Sequence, residues 1–293
     1  MAKRRSSNTR RSKSTPVEKV LNLTKPTWDL GPLGHAPGIV EEERTEDVVL
    51  GWIYGQGMVH GPFMSSVCGT LLHDRQSGAH RIRSTTDFES SPRIVASKTS
   101  MIDHFLGPLM RGTDKLPPRW LMMMDTDMTF ESWAVHKLLA VAEHEDIKVI
   151  GGLCFAGGLS KMYPTVYSLQ RDEHGPYTEV VPDYPRDQLV KVGATGGAFL
   201  LVHRDVFLRM LEQHGKLPDG RPNPKPWFVD AEHNGRDLGE DIAFCLRAQA
   251  LGYGVYVHTG VKVGHIKRYE LDEEEWDRRR AGDSKAGHLE VAG

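Results

Sequence analysis

Cysteine is scarce in this chain. Three of 293 residues, Cys68, Cys154 and Cys245, stand far apart and form no Cys-x-x-Cys pair. That excludes a disulfide framework and a cysteine-built zinc site, and fits reduced core thiols. Long apolar runs are missing as well. A membrane-spanning helix needs about 20 consecutive apolar residues, and none occurs, nor does an apolar segment follow the basic N-terminus as in a signal peptide. The expected compartment is the cytoplasm. Excess charge of one sign is also absent, since 37 Lys and Arg face 39 Asp and Glu for a formal net charge of -2. Without a global basic field, a dedicated nucleic-acid binder is not expected. What is present is an ordinary globular composition, 39% hydrophobic and 26% charged, with length for one large α/β domain or two small ones.

Residues 1–44 hold Lys3, Arg4, Arg5, Arg10, Arg11 and Lys13 among serines, then a proline- and glycine-rich lead-in. A disordered basic arm is expected, able at most to touch nucleic acid, phospholipid or an acidic partner weakly. Residues 48–54 read as a buried strand, followed by Gly55-Gln56-Gly57 and a helical spacing of Phe63, Val67 and Leu71. Strand, glycine turn and helix make a nucleotide-facing first βα unit. It is not a clean dinucleotide fingerprint, because His60 takes the place of the last glycine. Residues 80–85 are a second strand ending near Asp87, and 91–106 a helix with Pro92 in its first turn and Lys98 on its polar side.

A helix over 133–142 and a strand over 148–154 continue the alternation, which predicts an open, mostly parallel sheet with helices on both faces. Past Cys154 the pattern changes to short strands or a hairpin over 163–170 and 177–181. The run Gly193-Ala194-Thr195-Gly196-Gly197-Ala198 enters an apolar strand at 199–202, and residues 219–237 form a proline-rich loop holding Trp227-Phe228. Leu238-Gly239-Glu240-Asp241 opens a helix over 242–251; a strand over 253–263 then leads to Gly264-His265. A charge-dense helix over 269–280 and a tail close the chain.

The stretch with most chemical content is 120–130, where Trp-Leu-Met-Met-Met meets Asp125-Thr126-Asp127. An unbroken apolar run of this length fits a strand buried on both faces. Its carboxyl end lies where α/β sheets bind ligands. If the chain stays extended, Asp125 and Asp127 share one side and Thr126 faces the other. Paired carboxylates at the edge of a core repel unless a proton or cation intervenes. Oxygen ligands suit a hard divalent ion that also binds phosphates. The alternative is a solvated loop after a core strand.

In their order, these segments resemble the GT-A glycosyltransferases, in particular the family-2-like enzymes of bacteria and their phages, over roughly residues 48–267. The resemblance implies a Rossmann-like three-layer sandwich occupying 45–268. Its nucleotide-binding half would be 45–155 and its sugar and acceptor half 156–268, with a charged helix and tail at 269–293. It implies Mn²⁺ or Mg²⁺ held by Asp127 and His265, with Asp125 reaching the ion directly, through water or through the donor's ribose. Gly55, Gln56 and, less directly, Asp87 would lie beside the nucleotide. Lys98, where the family usually has an arginine, would approach a phosphate. Gly196 and Gly197 would floor the sugar pocket, and Trp227 would face the sugar or acceptor. Gly239-Glu240-Asp241 resembles the acceptor-side acidic motif, with Asp241 the general base if transfer inverts. The implied donor is a nucleotide-diphosphate sugar, UDP first. The acceptor would be a soluble protein or glycan, in the host cytoplasm if the chain is phage-encoded.

Two other readings remain open. Asp125-Thr126-Asp127-Met128-Thr129 also matches the nucleophile motif of haloacid-dehalogenase-like phosphatases, with Asp125 attacking phosphorus. That motif sits on the first strand of its domain, whereas here several elements precede it. The other alternative is a non-catalytic carbohydrate- or nucleotide-binding module.

Overall fold

A computed structural model describes residues 46–55, 58–90, 94–110, 118–158, 161–173, 175–233 and 236–267. The basic arm, Gln56, Pro92 and the helix expected over 269–280 lie outside them.

β1 (Val48–Tyr54), β2 (Ile82–Glu89) and β3 (Trp120–Asp125) are parallel and linked through α1 (Gly61–Gln76) and α2 (Ile94–Met110). β4 (Met128–Thr129) leads into α3 (Ala134–His144) and β5 (Val149–Leu153). Two small antiparallel pairs follow, β6 (Phe155–Gly158) with β7 (Lys161–Pro164) and β8 (Tyr167–Asp172) with β9 (Gly175–Val180). Then come β10 (Leu189–Val192), β11 (Phe199–His203) and α4 (Arg204–His214). The hairpin of β12 (Ala231–His233) and β13 (Arg236–Leu238) precedes α5 (Glu240–Ala250), β14 (Val255–Lys262) and β15 (Gly264–His265).

The main sheet has the order β10-β14-β5-β11-β3-β1-β2. β2, β1, β3, β5 and β14 point one way, while β11 and β10 run against them. The mostly parallel sheet of the sequence reading is present, with β11 wedged antiparallel between β3 and β5. The direction of β11 follows from where the chain enters it. The Gly196-Gly197 segment arrives at the carboxyl edge of β3, so β11 must descend. Among helices, α4 is the one the sequence reading passed over, although Val206, Phe207 and Met210 form a buried stripe along it.

β3 is central because every residue from Trp120 to Met124 is buried. Alternation sends Leu121 and Met123 into one core layer with residues of α2, α4 and α5. Trp120, Met122 and Met124 enter the other, with residues of α1 and α3. Helices therefore cover both faces, giving the three-layer α/β arrangement. No helix among the described residues is long and apolar enough to cross a membrane.

The amino edge of the sheet is closed by ions. Arg81 reaches Asp47 through Nε at 2.9 Å and Glu143 through Nη2 at 2.8 Å. Arg119 also pairs with Asp47 and lies 2.7 Å from Glu143. Burial raises the pKa of Glu143, but the two arginines win and hold it below the ordinary value. This edge anchors the starts of three strands.

Two buried histidines are expected to weaken the fold in acid. His203 Nδ1 accepts from the Asp205 amide at 3.3 Å, and His258 Nδ1 accepts from the Gly260 amide at 3.1 Å. Both bonds need an unprotonated nitrogen. Burial, and then neighbouring cations, push each imidazole down to about 4, although Asp205 pulls His203 the other way. In the unfolded chain these groups titrate near 6.5. The unfolded state therefore binds more protons below that value, and stability falls as pH drops from about 6.5 to about 4. The expected loss is on the order of 2 kcal/mol per histidine, read as a lower urea midpoint at pH 5 than at pH 7.5. A flat midpoint across that window would contradict the assignment.

Candidate functional site

Asp125 ends β3, opposite Ile53 of β1, and its amide donates to Ala198 O at 2.9 Å. The extended conformation stops there. Thr126 and Asp127 form a turn, so strict alternation does not place the two acids, contrary to the sequence reading. Thr126 is buried against the end of β1, and Asp127 is swung toward β15. β15 pairs antiparallel with β4, matching Gly264 to Thr129 and His265 to Met128, and Asp127 O accepts from the Ile266 amide at 2.7 Å. Position 264 is close to its neighbour, since a Cβ there would run into Thr129 Oγ1 and force that hydroxyl to turn away. This close pairing sets the His265 imidazole against Asp127.

His265 Nδ1 lies 2.7 Å from Phe155 O, a carbonyl that can only accept. A proton therefore sits on Nδ1, and in the neutral ring Nε2 presents a lone pair 2.9 Å from Asp127 Oδ2. Two acceptors so placed suit a cation between them. Lys267 Nζ lies 2.5 Å from Nε2 and 3.9 Å from Asp127 Oδ2. An imidazole oriented through its second nitrogen beside a carboxylate is the donor chemistry of an oxygen- and nitrogen-bound divalent ion. No group of three or more His, Cys, Asp or Glu side chains that could hold a metal ion lies among the described residues. Asp127 and His265 would supply two donors, leaving the other positions around an ion to ligands from outside the chain.

The second part of the cluster comes from α2, α5 and the glycine segment. Lys98, 3% exposed, places Nζ 2.5 Å from Asp241 Oδ1 and 3.0 Å from Glu240 Oε1. Its ammonium also stands 4.8 Å from the centre of the Phe228 ring. Burial would lower the Lys98 pKa, but Asp241, Asp125 and Glu240 together raise it above the ordinary lysine value. Glu240 and Asp241 occupy the first turn of α5, where their charge also complements the helix dipole. Gly197 lies underneath, and a Cβ there would collide with the Asp241 carboxylate and stand 3.1 Å from Lys98 Nζ.

Asp125 connects the two parts. Burial raises its pKa, Lys98 lowers it, and Asp241 and Asp127 raise it again, to about 6. Four carboxylates here face the ammonium groups of Lys98 and Lys267; with a neutral imidazole, two negative charges are left over. A single divalent cation would balance them.

Other residues named from sequence lie elsewhere. Gly55 is exposed just beyond β1 and bridges to Met58. Asp87 is exposed on the edge strand β2, in register with Trp52 and two strands from β3, about 10 Å away by strand spacing. Gly196 packs near Thr165, its would-be Cβ 3.5 Å from Thr165 Cγ2. Trp227 is a correction. It is 2% exposed and its indole N–H donates to Phe207 O at 2.9 Å, so it pins its loop to the core instead of facing a sugar. Burial of a large apolar ring with a satisfied N–H outweighs any exposed role. Trp227→Ala should cost about 3–5 kcal/mol in stability, measured by urea unfolding.

Sequence reading missed several neighbours of the cluster. Tyr167 of β8 is pushed up to about 12 by burial, then by Tyr163 and by the charge of Asp241. Buried Cys154 has its thiol raised by burial and by Asp125, Asp127 and Asp241. Lys267 sits two residues past His265, a spacing too ordinary to notice. A cavity of about 620 Å³ opens beside β4 and β15, lined by Ser65, Ser66, Thr129, Glu131, Lys262 and Gly264 among others.

No protein-family model and no curated protein matches the chain. Among solved structures, the crystal structure of A197 from STIV is similar at 15% identity and TM-score 0.46, over 75% of this chain and 86% of that one. The crystal structure of GalNAc-T7 with UDP, GalNAc and Mn²⁺ is similar at 12% identity and TM-score 0.48, over 78% of this chain. The chain covers 44% of the length of that structure's chain.

Proposed function

We propose that this chain is a metal-dependent glycosyltransferase of the GT-A type. It moves a sugar from a nucleotide-diphosphate sugar, with UDP-sugars the first to test, to a hydroxyl on a soluble protein or glycan. One observation carries the reading: four carboxylates and an imidazole from three distant parts of the chain gather at the carboxyl edge of β3, around an excess of two negative charges. α/β sheets bind their ligands at that edge, and such a charge pattern suits a divalent ion together with a diphosphate.

Asp127 and His265 would hold Mn²⁺ or Mg²⁺, which when bound supplies positive charge for a departing diphosphate. Asp125 lies between the two halves of the cluster, where it can take a ribose hydroxyl or a metal-bound water. Asp241 orients an acceptor hydroxyl and, if transfer inverts, takes its proton. Glu240 shares that task of orientation. Gly197 keeps the floor low under the sugar, and Gly55 and Asp87 would flank the base. On this reading 45–155 is the nucleotide half and 156–268 the sugar and acceptor half.

A thermal-shift panel of nucleotide-sugars with and without Mn²⁺ tests it. A ligand held only by the native state at 100 times its Kd stabilises by about 2.7 kcal/mol, so a rise in Tm of several degrees is expected with nucleotide and Mn²⁺ together. Turnover of p-nitrophenyl phosphate with a trapped aspartyl-phosphate at Asp125 would instead establish the phosphatase. Binding without any transfer or donor hydrolysis would leave a carbohydrate- or nucleotide-binding module.

A further inference from the structure

The family resemblance would bring Lys98 near a phosphate, yet it is among the most buried charges described, with 3% of its surface exposed, and its ammonium is held by carboxylates. A lysine ammonium is taken out of water only when paired. Its partners lie 142 and 143 positions away in sequence, at the start of α5. The stem comes from α2, the ring of Phe228 faces the ammonium, and Gly197 leaves the space into which Asp241 Oδ1 projects.

We infer that Lys98 is a positioning residue for the acidic pair Glu240-Asp241: it fixes Asp241 against Gly197 with Oδ1 engaged and Oδ2 left for a substrate hydroxyl. This rests on the glycosyl-transfer reading of the site for its consequence, though the ion pair itself does not. Two carboxylates pair with one ammonium, and the charge of Asp125 also acts on it. Without it, Glu240, Asp241 and Asp125 repel one another, and Asp241 turns away from Gly197 toward water. The ammonium is engaged by carboxylates, so a diphosphate does not need it. Lys98 therefore governs the acceptor side of the reaction, not the donor side.

The test is a double-variant cycle on the full chain with Lys98→Met, Lys98→Arg and Asp241→Asn. Lys98→Met should leave the Kd for UDP with Mn²⁺ within threefold and lower kcat for transfer about 100-fold. Lys98→Arg should recover at least tenfold of that loss. Combining Lys98→Met with Asp241→Asn should be no more than about threefold worse than the more damaging single change, since both remove the same positioned carboxylate. Independent, multiplying losses, or nucleotide binding weakened tenfold or more by Lys98→Met, would overturn the inference and return Lys98 to the diphosphate.

A stability arm decides the matter if the chain transfers no sugar at all. Lys98→Met should lower Tm by about 5 °C or more, and adding Asp241→Asn should recover part of it, because removing one buried partner strands the other. No recovery would refute the pairing, whatever the activity. Absence of transfer with recovery intact would count against the glycosyltransferase reading alone.

Discussion

Asp127→Asn is expected to abolish Mn²⁺-dependent binding of UDP, with affinity falling at least about 100-fold, while unfolding stays cooperative. The asparagine keeps the size and one acceptor oxygen but removes the charge that faces His265 Nε2 at 2.9 Å. An open site with two protein donors has little to lose before the ion leaves. The fold should survive because Asp127 lies in the turn beyond β3, with 31% of its side chain exposed, and takes no part in the buried layers. Its backbone bond to Ile266 is untouched. Titration calorimetry with UDP, with and without Mn²⁺, measures this. Equal affinity in the variant and the parent would remove Asp127 from the site.

The second large effect is expected from one methyl group. Gly197→Ala should lower transfer about 100-fold or more, with UDP and Mn²⁺ binding nearly unchanged. The added Cβ would occupy the place of Asp241 Oδ1 and crowd Lys98 Nζ. The carboxylate has a short arm and must move away, and misplacement by about 1 Å can cost about 100-fold in rate. Gly196→Ala is the internal control. Its Cβ would meet Thr165 Cγ2 at 3.5 Å, an ordinary contact, so transfer should stay within a few-fold. If both variants behave alike, the close fit of Gly197 to Asp241 is not what transfer depends on. Steady-state kinetics varying donor and acceptor separately distinguish the cases.

Elements defined by local pattern were legible in the sequence. β1 has the expected bounds of 48–54, because an unbroken apolar run between polar segments has few other homes. β3 and its terminal acid were legible for the same reason. Gly197 is a close-approach glycine, met by Asp241, whereas Gly196 makes only ordinary contact with Thr165, and a run of glycines does not tell the two apart. Long-range geometry was hidden. Nothing in the residues around Lys98 indicates carboxylates 142 and 143 positions later, since such a pair exists only once α2 and α5 pack on the same face of the sheet. Trp227 misled because loop aromatics read alike whether they face a ligand or the core. The short hairpin of β12 and β13, three residues a side, lacks the alternation that marks longer strands. β11 reads as a strand in any direction, as apolar runs carry no polarity.

The central strand has a chemical corollary. Met122, Met123 and Met124 are at most 3% exposed and stand side by side between the two core layers. Buried this deeply, the thioethers should meet peroxide chiefly through opening of the sheet, so sulfoxide formation at the three should track the population of the opened state. Each added oxygen makes a packed side chain polar and bulkier, and would hinder the chain from closing again. Mass spectrometry of peroxide-treated protein would therefore show molecules with this trio intact or heavily oxidised, and few in between.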